Sequence, residues 1–563
     1  MMYSGTRLVD LLEKQDQTRH PGLFKSGKFT IQWRAKVGSF PHPDVETIVS
    51  AGEPCGSWKT GQGAGWRPEN KRNVGENLQQ LDELPLNGYI PGSCIRGIVR
   101  EWAKKRPEIK PRMLELLGYQ TNDKIYSGKI EFLDAWPEQP EPLTLDIVNP
   151  QETFQVFHQD QSTPLSLYTL GDGEKPIPVR VAIRGIPSKK VTPEEVDEVW
   201  GWVQQALTLY GVGSRTASGY GAMRSRDQDA PKPDPDPNCK TKVLTFQLYS
   251  QGCYGVDPEE PVLRPSHWRG WLRSWMLRFL LGVMSQEDAK KTLGELLGVL
   301  EPTGQKGCVR IELIKSKTWG KKSTKDPYFY TWKGQLKVTA PQEILNHIIL
   351  PVLKFGAMVG GVGRGWRRPL HIFRTDKGYE AARGSHVVLT HKVKGETKGF
   401  GIALKPEQWV SVYQKWSEAV QQQWAERFRP NQNPEAEVFS PRSCAVYLVP
   451  EPVEDPVNQA EMNWEFTNPQ ETRGEGVNLI YQPTYKRKSD VGGNAAGGGN
   501  SHCSWVSIKR VTIPNREAET DCQEVVCLFM GGQTPNTGHL RSQFLTDLAR
   551  IDGAVHLFGV RPR

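Results

Sequence analysis

One segment of the sequence occurs twice, and this repeat restricts the possible folds more than any other feature. Ile90–Trp102 (IPGSCIRGIVREW) aligns with Leu263–Trp275 (LRPSHWRGWLRSW). The identical positions are Ser93 and Ser266, Arg96 and Arg269, Gly97 and Gly270, Arg100 and Arg273, and Trp102 and Trp275. The two arginines of each copy are four residues apart, which places them on one face of a helix. We therefore predict two matched helices, each beginning directly after a loop.

A second element recurs after the first, in the same order. The predicted helix Glu194–Leu209 runs into the glycine loop Gly211–Gly221 (GVGSRTASGYG). The predicted helix Gln342–Val352 leads to the glycine loop Gly360–Arg368 (GGVGRGWRR). Because two elements recur in the same order, the sequence indicates at least two copies of one module.

Residue patterns predict that each copy mixes short strands with helices. The strand candidates are Lys28–Val37, Lys129–Leu133, Pro178–Ile183, Val243–Tyr249 and Val309–Ile314. The other helix candidates are Cys94–Lys105, Trp268–Leu281 and Pro406–Phe428, the last with a tryptophan-rich apolar stripe that we expect in the core. The predicted fold class is α+β with small sheets.

Both repeated elements have features that suit a polyanion. Residues 91–93 (PGS) would leave free backbone N–H groups at a helix start, where phosphate binds readily. Arg96, Arg100 and Lys104 add positive charge at four-residue spacing. Glycine loops allow a polymer backbone to approach closely, and Arg215 can bind a phosphate with two donors. These features predict a groove that contacts the backbone of a polyanion rather than base edges. The alternative is that the arginines are solvated and the glycines only form turns.

The overall charge does not identify a partner by itself. The chain has 72 Lys and Arg residues against 63 Asp and Glu residues, and a mildly basic enzyme would show the same net charge of +9. The mean hydropathy of −0.55 and the lack of a long apolar run predict that no helix spans a membrane. The N-terminal residues lack the apolar core of a signal peptide. The nine cysteines form no CxxC pair, so we expect reduced thiols in the cytoplasm rather than a structural zinc site.

Proline and aspartate mark the main boundary in the chain. Asp227–Asn238 (DQDAPKPDPDPN) is typical of a stiff linker, because proline cannot donate a ladder hydrogen bond and extends the residue before it. We predict a first module at residues 1–226, a linker at 227–240 and the core of a second module at 241–373. Residues 374–563 are predicted to be an insertion or a C-terminal extension that could complete the second module. The C-terminal region has strand candidates at Cys444–Pro450, Ser504–Thr512, Val525–Met530 and Ala554–Val560, and a helix candidate at Gly538–Ile551.

The repeated segments resemble motifs of the RAMP superfamily, the RNA-recognition-like backbone proteins of CRISPR RNA-guided effector complexes. The family pattern PGS-x-x-(K/R)-G-x-x-R corresponds to Pro91–Arg100, and the pattern G-x-G-x-R-(T/S)-x-x-G-x-G corresponds to Gly211–Gly221. Gly128–Pro137 (GKIEFLDAWP) resembles the family strand that ends in Asp-Ala. Leu145–Pro150 (LDIVNP) resembles the segment before a thumb hairpin.

The second copy departs further from these patterns. Arg264–Arg273 lacks the glycine of PGS, and Gly360–Arg368 is shorter and more basic than the family loop. Two modules in one chain resemble the fused tandem backbone subunits of type III (III-D-like) complexes.

The resemblance implies a fold and a set of partners. The fold is two ferredoxin-like (RNA-recognition-motif-like, β-α-β-β-α-β) RAMP modules with insertions and thumb hairpins, plus a C-terminal α+β extension. A thumb within Asn149–Arg184 would kink the guide–target duplex. The implied partners are guide CRISPR RNA, complementary target RNA and other type III effector subunits, namely the large polymerase-like subunit and other RAMP backbone subunits. The residues expected at the RNA are Ser93, Arg96, Arg100, Gly211, Gly213, Arg215, Thr216, Ser266, Arg269, Arg273, Gly361, Gly363, Arg364 and Arg367.

The resemblance also implies cleavage of the target RNA. Family members use an aspartate before the PGS helix together with a divalent metal, Mg²⁺ or Mn²⁺, while the 2′-OH of a flipped nucleotide attacks its own phosphate. Asp82 (LDELP) fits this position, with one residue inserted before the proline, and is the expected metal ligand. Asp257 (VDP) is the candidate in the second module, and Asp44 is a weaker one. The alternative is that these aspartates are solvent-exposed loop residues.

Three functions therefore remain open. The chain is a guide-RNA-binding subunit that cleaves target RNA, a purely structural guide-RNA-binding subunit, or a guide-RNA-processing endoribonuclease. Related processing enzymes often use a histidine, but His42, His158 and His267 have no partner signature. His267 is interpreted as a contact to backbone or phosphate.

Overall fold

The computed structural model describes residues 5–37, 39–42, 47–50, 88–139, 141, 143–148, 152–158, 165–227, 238–250, 262–299, 305–323, 326–363, 365–375, 377–433, 435–450, 472–486, 491–493, 502–514, 520–532 and 538–562. The chain divides into two compact units. The first comprises Met1–Asn149 and Thr163–Cys239, and the second comprises Pro150–Ser162 and Lys240–Arg563. Within the described ranges, no helix is long and apolar enough to cross a membrane.

The first half of the chain alternates short strands with helices. In order these are α1 (Gly5–Arg19), β1 (Phe24–Ile31), β2 (Ser39–His42), β3 (Thr47–Ser50), α2 (Gly92–Lys104), α3 (Lys110–Leu117), β4 (Gly118–Gln120), β5 (Ile125–Ser127), β6 (Ile130–Phe132), β7 (Trp136–Pro137), β8 (Leu143–Val148), α4 (Glu152–Val156), β9 (Leu165–Leu170), β10 (Ile177–Gly185), α5 (Pro193–Tyr210) and β11 (Met223–Ser225). Of these, α4 belongs to the second unit.

The main sheet of the first unit has the order β11-β1-β10-β6, and β7 also pairs with β10. All of these pairings are antiparallel, with Phe24 opposite Arg184 and Ile31 opposite Ile177 in β1 and β10. Numbered along the chain, the strands of this sheet lie in the order 4-1-3-2. Helix α2 follows the first strand and helix α5 follows the third, so the unit has the connectivity β-α-β-β-α-β.

Local sequence explains where α5 begins. Thr192 and Glu195 form a capping box, in which the Thr192 hydroxyl accepts from the Glu195 N–H at 3.3 Å. The Glu195 carboxylate accepts from the Thr192 N–H at 3.1 Å. Pro193 occupies the first turn, where its missing N–H costs nothing. The apolar side of α5 then packs on the sheet through Val196, Val199, Val203 and Leu207.

The second unit continues the same alternation. Its further elements are β12 (Cys239–Ser250), α6 (Pro265–Leu280), α7 (Gln286–Leu297), β13 (Arg310–Lys322), β14 (Tyr330–Pro341), a π-helical segment (Ile344–Ile349), α8 (Leu350–Val359), β15 (His371–Arg374), β16 (Glu380–Arg383), β17 (Ser385–Val393), β18 (Glu396–Gly399), α9 (Pro406–Gln423), β19 (Cys444–Val449), α10 (Glu475–Ile480), β20 (Val506–Pro514), β21 (Thr520–Phe529), α11 (Gly538–Ala549) and β22 (Val555–Gly559).

The first sheet of the second unit repeats the topology of the first unit. Its order is β13-β14-β12-β17-β18. When the first four of these strands are numbered along the chain, they lie in the order 2-3-1-4 from one edge of the sheet. Read from the other edge, this is the order 4-1-3-2 of the first unit. Helix α6 follows the first strand and α8 follows the third. The fourth strand, β17, lies beyond residue 373, the predicted end of the second module core.

The C-terminal region forms another sheet with this same topology. Its order is β20-β21-β19-β22, again 2-3-1-4 along the chain, and all three pairings are antiparallel. Helix α10 follows its first strand and α11 follows its third. The final strand β22 pairs with β19 in this sheet rather than with a strand of the preceding one.

Helices separate the two large sheets of the second unit. One core cluster combines Phe246 of β12, Trp275 of α6, Trp416 of α9, and Val446 and Val525 of the C-terminal sheet. The opposite face of the C-terminal sheet packs on α10 and α11 in a separate cluster. Both faces of this sheet are therefore buried.

The structure confirms the predicted α+β class and finds helices and strands where the listed candidates were placed, although the candidate Gln342–Val352 is mostly π-helical. The stripe of α9 is in the core as predicted, with Trp409, Trp416 and Val420 fully buried. Most of the predicted linker Asp227–Asn238 lies outside the described residues. The segment predicted to contain a thumb, Asn149–Arg184, includes α4, which belongs to the second unit, and β9, which pairs with β8 directly before that segment.

Candidate nucleic-acid interface

Helix α2, the first copy of the repeated segment, has a buried and an exposed side. The buried side consists of Ile95, Val99, Trp102 and Ala103. The exposed side includes Ser93, Arg96, Gly97 and Lys104. This division follows the helical period, and it leaves Arg96 and Lys104 of the predicted cationic face exposed, while Arg100 is partly buried.

The N-terminus of α2 is not free to bind phosphate at Gly92. The Gly92 N–H donates to the carboxylate of Asp134 at 2.8 Å. A side chain is excluded at this position, because a Cβ on Gly92 would lie 2.1 Å from the carbonyl oxygen of Phe132. The expectation of free N–H groups is therefore wrong for Gly92, since Asp134 already supplies the negative charge that a helix N-terminus favours.

The arginines of α2 bind the end of the next helix. Arg96 donates to the carbonyl of Leu117, and Arg100 donates to the carbonyl of Gly118. These carbonyls end α3, where helix oxygens have no partner within the helix and a positive charge is favourable. Burial, followed by the charge of Arg96, lowers the pKa of Arg100. Each guanidinium therefore makes a hydrogen bond within the protein, a contact that the sequence did not predict.

The second copy uses its second arginine in the same way. Arg273 of α6 donates to the carbonyl of Gly298 at 3.2 Å, directly after α7. Gly118 and Gly298 both have positive φ angles, 75° and 81°. The repeat therefore extends beyond the aligned segment to the helix that follows it.

In each copy, a further glycine packs closely against the end of the helix that follows the arginine helix. A Cβ on Gly128 would lie 2.7 Å from the Leu116 oxygen, and a Cβ on Gly307 would lie 2.5 Å from the Leu296 oxygen. The next strand begins with matching bonds, Lys129 N–H to Leu116 O at 2.8 Å and Val309 N–H to Leu296 O at 2.9 Å. The paired glycines after each arginine helix were the signal in the sequence that could have revealed this longer repeat.

The central glycine of each arginine helix has no internal packing role. No heavy atom lies within 4 Å of a Cβ built on Gly97 or on Gly270. Both residues are exposed, and neither has a positive φ angle. Glycine in a helix interior costs about 0.5–1 kcal/mol relative to alanine. Neither packing nor backbone conformation within the described structure requires glycine at these two matched positions.

The second copy of the helix is more buried than the first. Ser266, Arg269 and Arg273 are partly buried, while Gly270 is exposed. His267 accepts through Nδ1 from the Arg264 N–H at 3.1 Å. His267 thus contacts the backbone at the helix start, one of the two roles expected for it.

The first glycine loop is fixed by its own backbone. A Cβ on Gly213 would lie 2.2 Å from the Lys36 oxygen, and a Cβ on Gly211 would lie 2.4 Å from the Gly221 oxygen. These glycines therefore serve close packing inside the protein. The loop leaves Ser214 exposed, and Arg215 and Thr216 partly exposed, at its tip.

A tilted pair of buried aromatic rings packs at the end of this loop. The rings of Trp33 and Tyr220 lie 4.6 Å apart, and both residues are buried. The Tyr220 hydroxyl donates to the buried Asp146 carboxylate at 2.5 Å. Arg215 at the loop tip has a φ of 57°, and within the described structure its buried Nε has no hydrogen-bond partner.

The second glycine loop is largely enclosed. A Cβ on Gly361 would lie 2.6 Å from the Ser385 hydroxyl, and Gly363 is partly buried. Arg367 is 8% exposed, and its guanidinium donates to Glu437 at 2.6 and 3.0 Å. Arg364 lies outside the described residues. The structure therefore gives Gly361 and Arg367 internal roles in place of the predicted exposed RNA contact.

Glu437 is the centre of a buried ionic cluster. It also accepts from Arg278 at 2.9 and 2.5 Å and from His158 Nε2 at 3.1 Å. Burial opposes ionisation, but the charges of Arg367 and Arg278 outweigh it and hold the pKa of Glu437 well below its usual range. The cluster joins α4, α6 and the second glycine loop within one unit.

The predicted catalytic aspartates, Asp82 and Asp257, lie outside the described residues. The predicted Mg²⁺ or Mn²⁺ ligand Asp82 therefore has no geometry to compare with a metal site. In the part of the chain that the structure describes, no group of three or more His, Cys, Asp or Glu side chains is placed to hold a metal ion.

The comparison with protein-family models supports the resemblance. Residues 52–224 match the model of the RAMP superfamily. The search of curated proteins found no match. Among solved structures, the chain is similar to one described as "Cryo-EM structure of the Type III-B Cmr-beta bound to cognate target RNA", with 16% identity and a TM-score of 0.24, over 40% of this chain and 66% of that chain. A second, described as "Type IV-B CRISPR Complex", has 11% identity and a TM-score of 0.22, over 38% of this chain and 95% of that chain.

The family match covers the Pro91–Arg100 segment and the Gly211–Gly221 loop, on which the resemblance rests. It also covers α2, α5 and their strands in the first unit, apart from β1 and the end of β11. The match over residues 52–224 is to the family that the sequence motifs resemble.

Proposed function

We propose that the chain is a backbone subunit of a type III CRISPR effector complex that binds guide RNA along its phosphate backbone. The RNA lies across the exposed side of α2, beside the first glycine loop, and across the corresponding part of α6. Two matched modules then place two contact surfaces in one chain. The RAMP superfamily match of residues 52–224 supports the proposal.

The observation that carries this proposal is the matched position of two glycines without internal packing, Gly97 and Gly270, each directly after the first arginine of its repeated helix. Each weakens its helix by about 0.5–1 kcal/mol, and neither gains internal packing in return. A glycine without a packing reason is explained if another backbone must approach the helix closely. Exposed Ser93 and Lys104 flank Gly97 with a hydroxyl donor and a positive charge, which suits a phosphodiester backbone.

The strand order supports two ferredoxin-like modules. Both large sheets that carry an arginine helix have the order 4-1-3-2 with helices after the first and third strands. The C-terminal sheet has the same order, but both of its faces are buried and it lacks the arginine helix. We therefore assign it a supporting role rather than an RNA contact.

Target cleavage and duplex kinking remain part of the proposal through the family resemblance alone. Asp82 in the first module and Asp257 in the second are the proposed catalysts, with Mg²⁺ or Mn²⁺ as cofactor. Cutting of complementary RNA by the assembled complex in Mg²⁺, but not in EDTA, distinguishes this function from a purely structural one. Cutting of a repeat-containing precursor by the isolated chain would instead favour guide processing.

RNA binding by the isolated chain tests the first step. We expect single-stranded RNAs of unrelated sequence to bind with similar affinity, because the proposed contacts are to the backbone. The logarithm of the affinity should fall with the logarithm of salt concentration at about −0.7 per phosphate contacted. No binding at low salt, or strong sequence preference with a flat salt dependence, would contradict the proposal.

A further inference from the structure

In the first sheet of the second unit, a group of basic side chains lies at the end that is far from the glycine loop. Ser385 at the start of β17 binds the glycine loop through Val362. His391 is six residues further along β17, which corresponds to about 20 Å at the rise of a strand. The group is therefore separate from the glycine-loop end of the second module.

Three elements bring this group together around Phe400. The Lys354 Nζ of α8 lies 5.7 Å from the centre of the Phe400 ring. The His391 ring lies 5.4 Å from the same ring, edge-on. Lys242 is on β12, which pairs with β17 as far as Thr245 opposite Thr390, so Lys242 lies at the same end of the sheet as His391.

The positive charges of Lys242 and Lys354 repel each other within this group. Within the described part of the chain, no carboxylate forms an ion pair with Lys242, Lys354 or His391, and the buried His391 Nδ1 has no hydrogen-bond partner. Burial and the charge of Lys242 lower the pKa of Lys354. Burial and the two lysines also lower the pKa of His391. A bound anion would relieve this repulsion.

We propose that Lys242, Lys354 and His391 form a phosphate-binding site for RNA, distinct from the surface on α2 and α6. Lysine and imidazole donors can converge on a tetrahedral phosphate from different directions. A planar carboxylate is instead best matched by the fork of an arginine, and this site has none. The phosphate belongs either to the end of an RNA strand or to its internal backbone. That the phosphate is part of an RNA rests on the proposed function, whereas the site itself shares no residue with the surface on α2 and α6.

Lys354→Met tests the site and keeps the aliphatic contact with Phe400. Inorganic phosphate should raise the melting temperature of the full chain, and Lys354→Met should weaken phosphate binding at least about tenfold, because it removes a charged hydrogen-bond donor. Lys392→Met is the matched control, because Lys392 follows His391 on β17, is exposed, and points to the opposite face of the sheet. It should bind phosphate within about twofold of the wild type.

Oligouridine with and without terminal phosphates identifies the source of the phosphate. If the site binds a terminal phosphate, removal of that phosphate should abolish the difference in RNA affinity between the wild type and Lys354→Met. If the site binds the internal backbone, this difference in affinity should persist. Lys242→Met should reproduce the loss if Lys354→Met unfolds. Equal losses in Lys354→Met and Lys392→Met, no effect of phosphate on the wild type, or equal binding of polyglutamate would each overturn the proposal.

Discussion

Gly97→Ala should stabilise the protein and at the same time weaken RNA binding. The new Cβ meets no heavy atom within 4 Å, so the substitution introduces no clash. Alanine in a helix interior gains about 0.5–1 kcal/mol over glycine, which should raise the melting temperature of a unit of this size by about 1–4 °C. The added methyl group occupies the space that we assign to the RNA backbone, so we expect affinity to fall about tenfold, or ~1.4 kcal/mol.

The chain provides a matched control for this experiment. Gly201 lies within α5, and a Cβ built there also meets no heavy atom within 4 Å. Helix α5 contains four acidic residues and no basic ones, so we do not expect RNA on it. Gly201→Ala should therefore raise the melting temperature by a similar amount and leave RNA affinity unchanged. Fluorescence anisotropy and thermal unfolding measure both quantities. Stabilisation by Gly97→Ala with unchanged RNA affinity would refute the reasoning.

Other predictions concern the buried cluster, the repeat and catalysis. Glu437→Gln leaves two buried arginines without a counter-charge and should cost about 3–5 kcal/mol in urea unfolding, whereas a loss below 1 kcal/mol would contradict the structural role. Burial lowers the pKa of His158, so its contribution to stability is complete above about pH 6.5 and is lost as the pH falls toward the lowered folded value. Unfolding midpoints should therefore drop between pH 7 and 5, and His158→Gln should reduce that drop. Arg273→Met removes the bond to the end of α7 and should destabilise the second unit by about 1–2 kcal/mol. In an assembled complex, Asp82→Ala should remove one cleavage position and spare target binding; if every cut persists, Asp82 is not the catalyst, and Asp257→Ala is the parallel test for the second module.

The elements and the repeat could be predicted because their causes are local. Apolar periodicity defines α2 and α9, and the capping box defines the start of α5. The repeated arginine and glycine positions indicated two modules before any strand pairing was known. The C-terminal sheet could not be recognised as a further example of this topology, because it lacks both motifs and strand order depends on pairing between distant segments.

The roles of individual charged residues depended on distant partners. Arg367 appeared available for RNA in the sequence, but its partner Glu437 is 70 residues away. His158 is 279 residues from the same carboxylate. The first arginine of α2 likewise binds a carbonyl 21 residues away. Spacing along the chain cannot reveal whether such a charge faces a ligand or another part of the protein.

Photo-crosslinking of the full chain to 4-thiouridine-containing RNA, with the linked peptides identified by mass spectrometry, tests the central claim most directly. The account predicts crosslinks in peptides from Gly92–Lys104 and from the start of α6, regardless of RNA sequence. It also predicts that these crosslinks weaken in Gly97→Ala and not in Gly201→Ala. Crosslinks confined to other segments, with neither helix labelled, would contradict the proposal that the repeated helices carry the RNA.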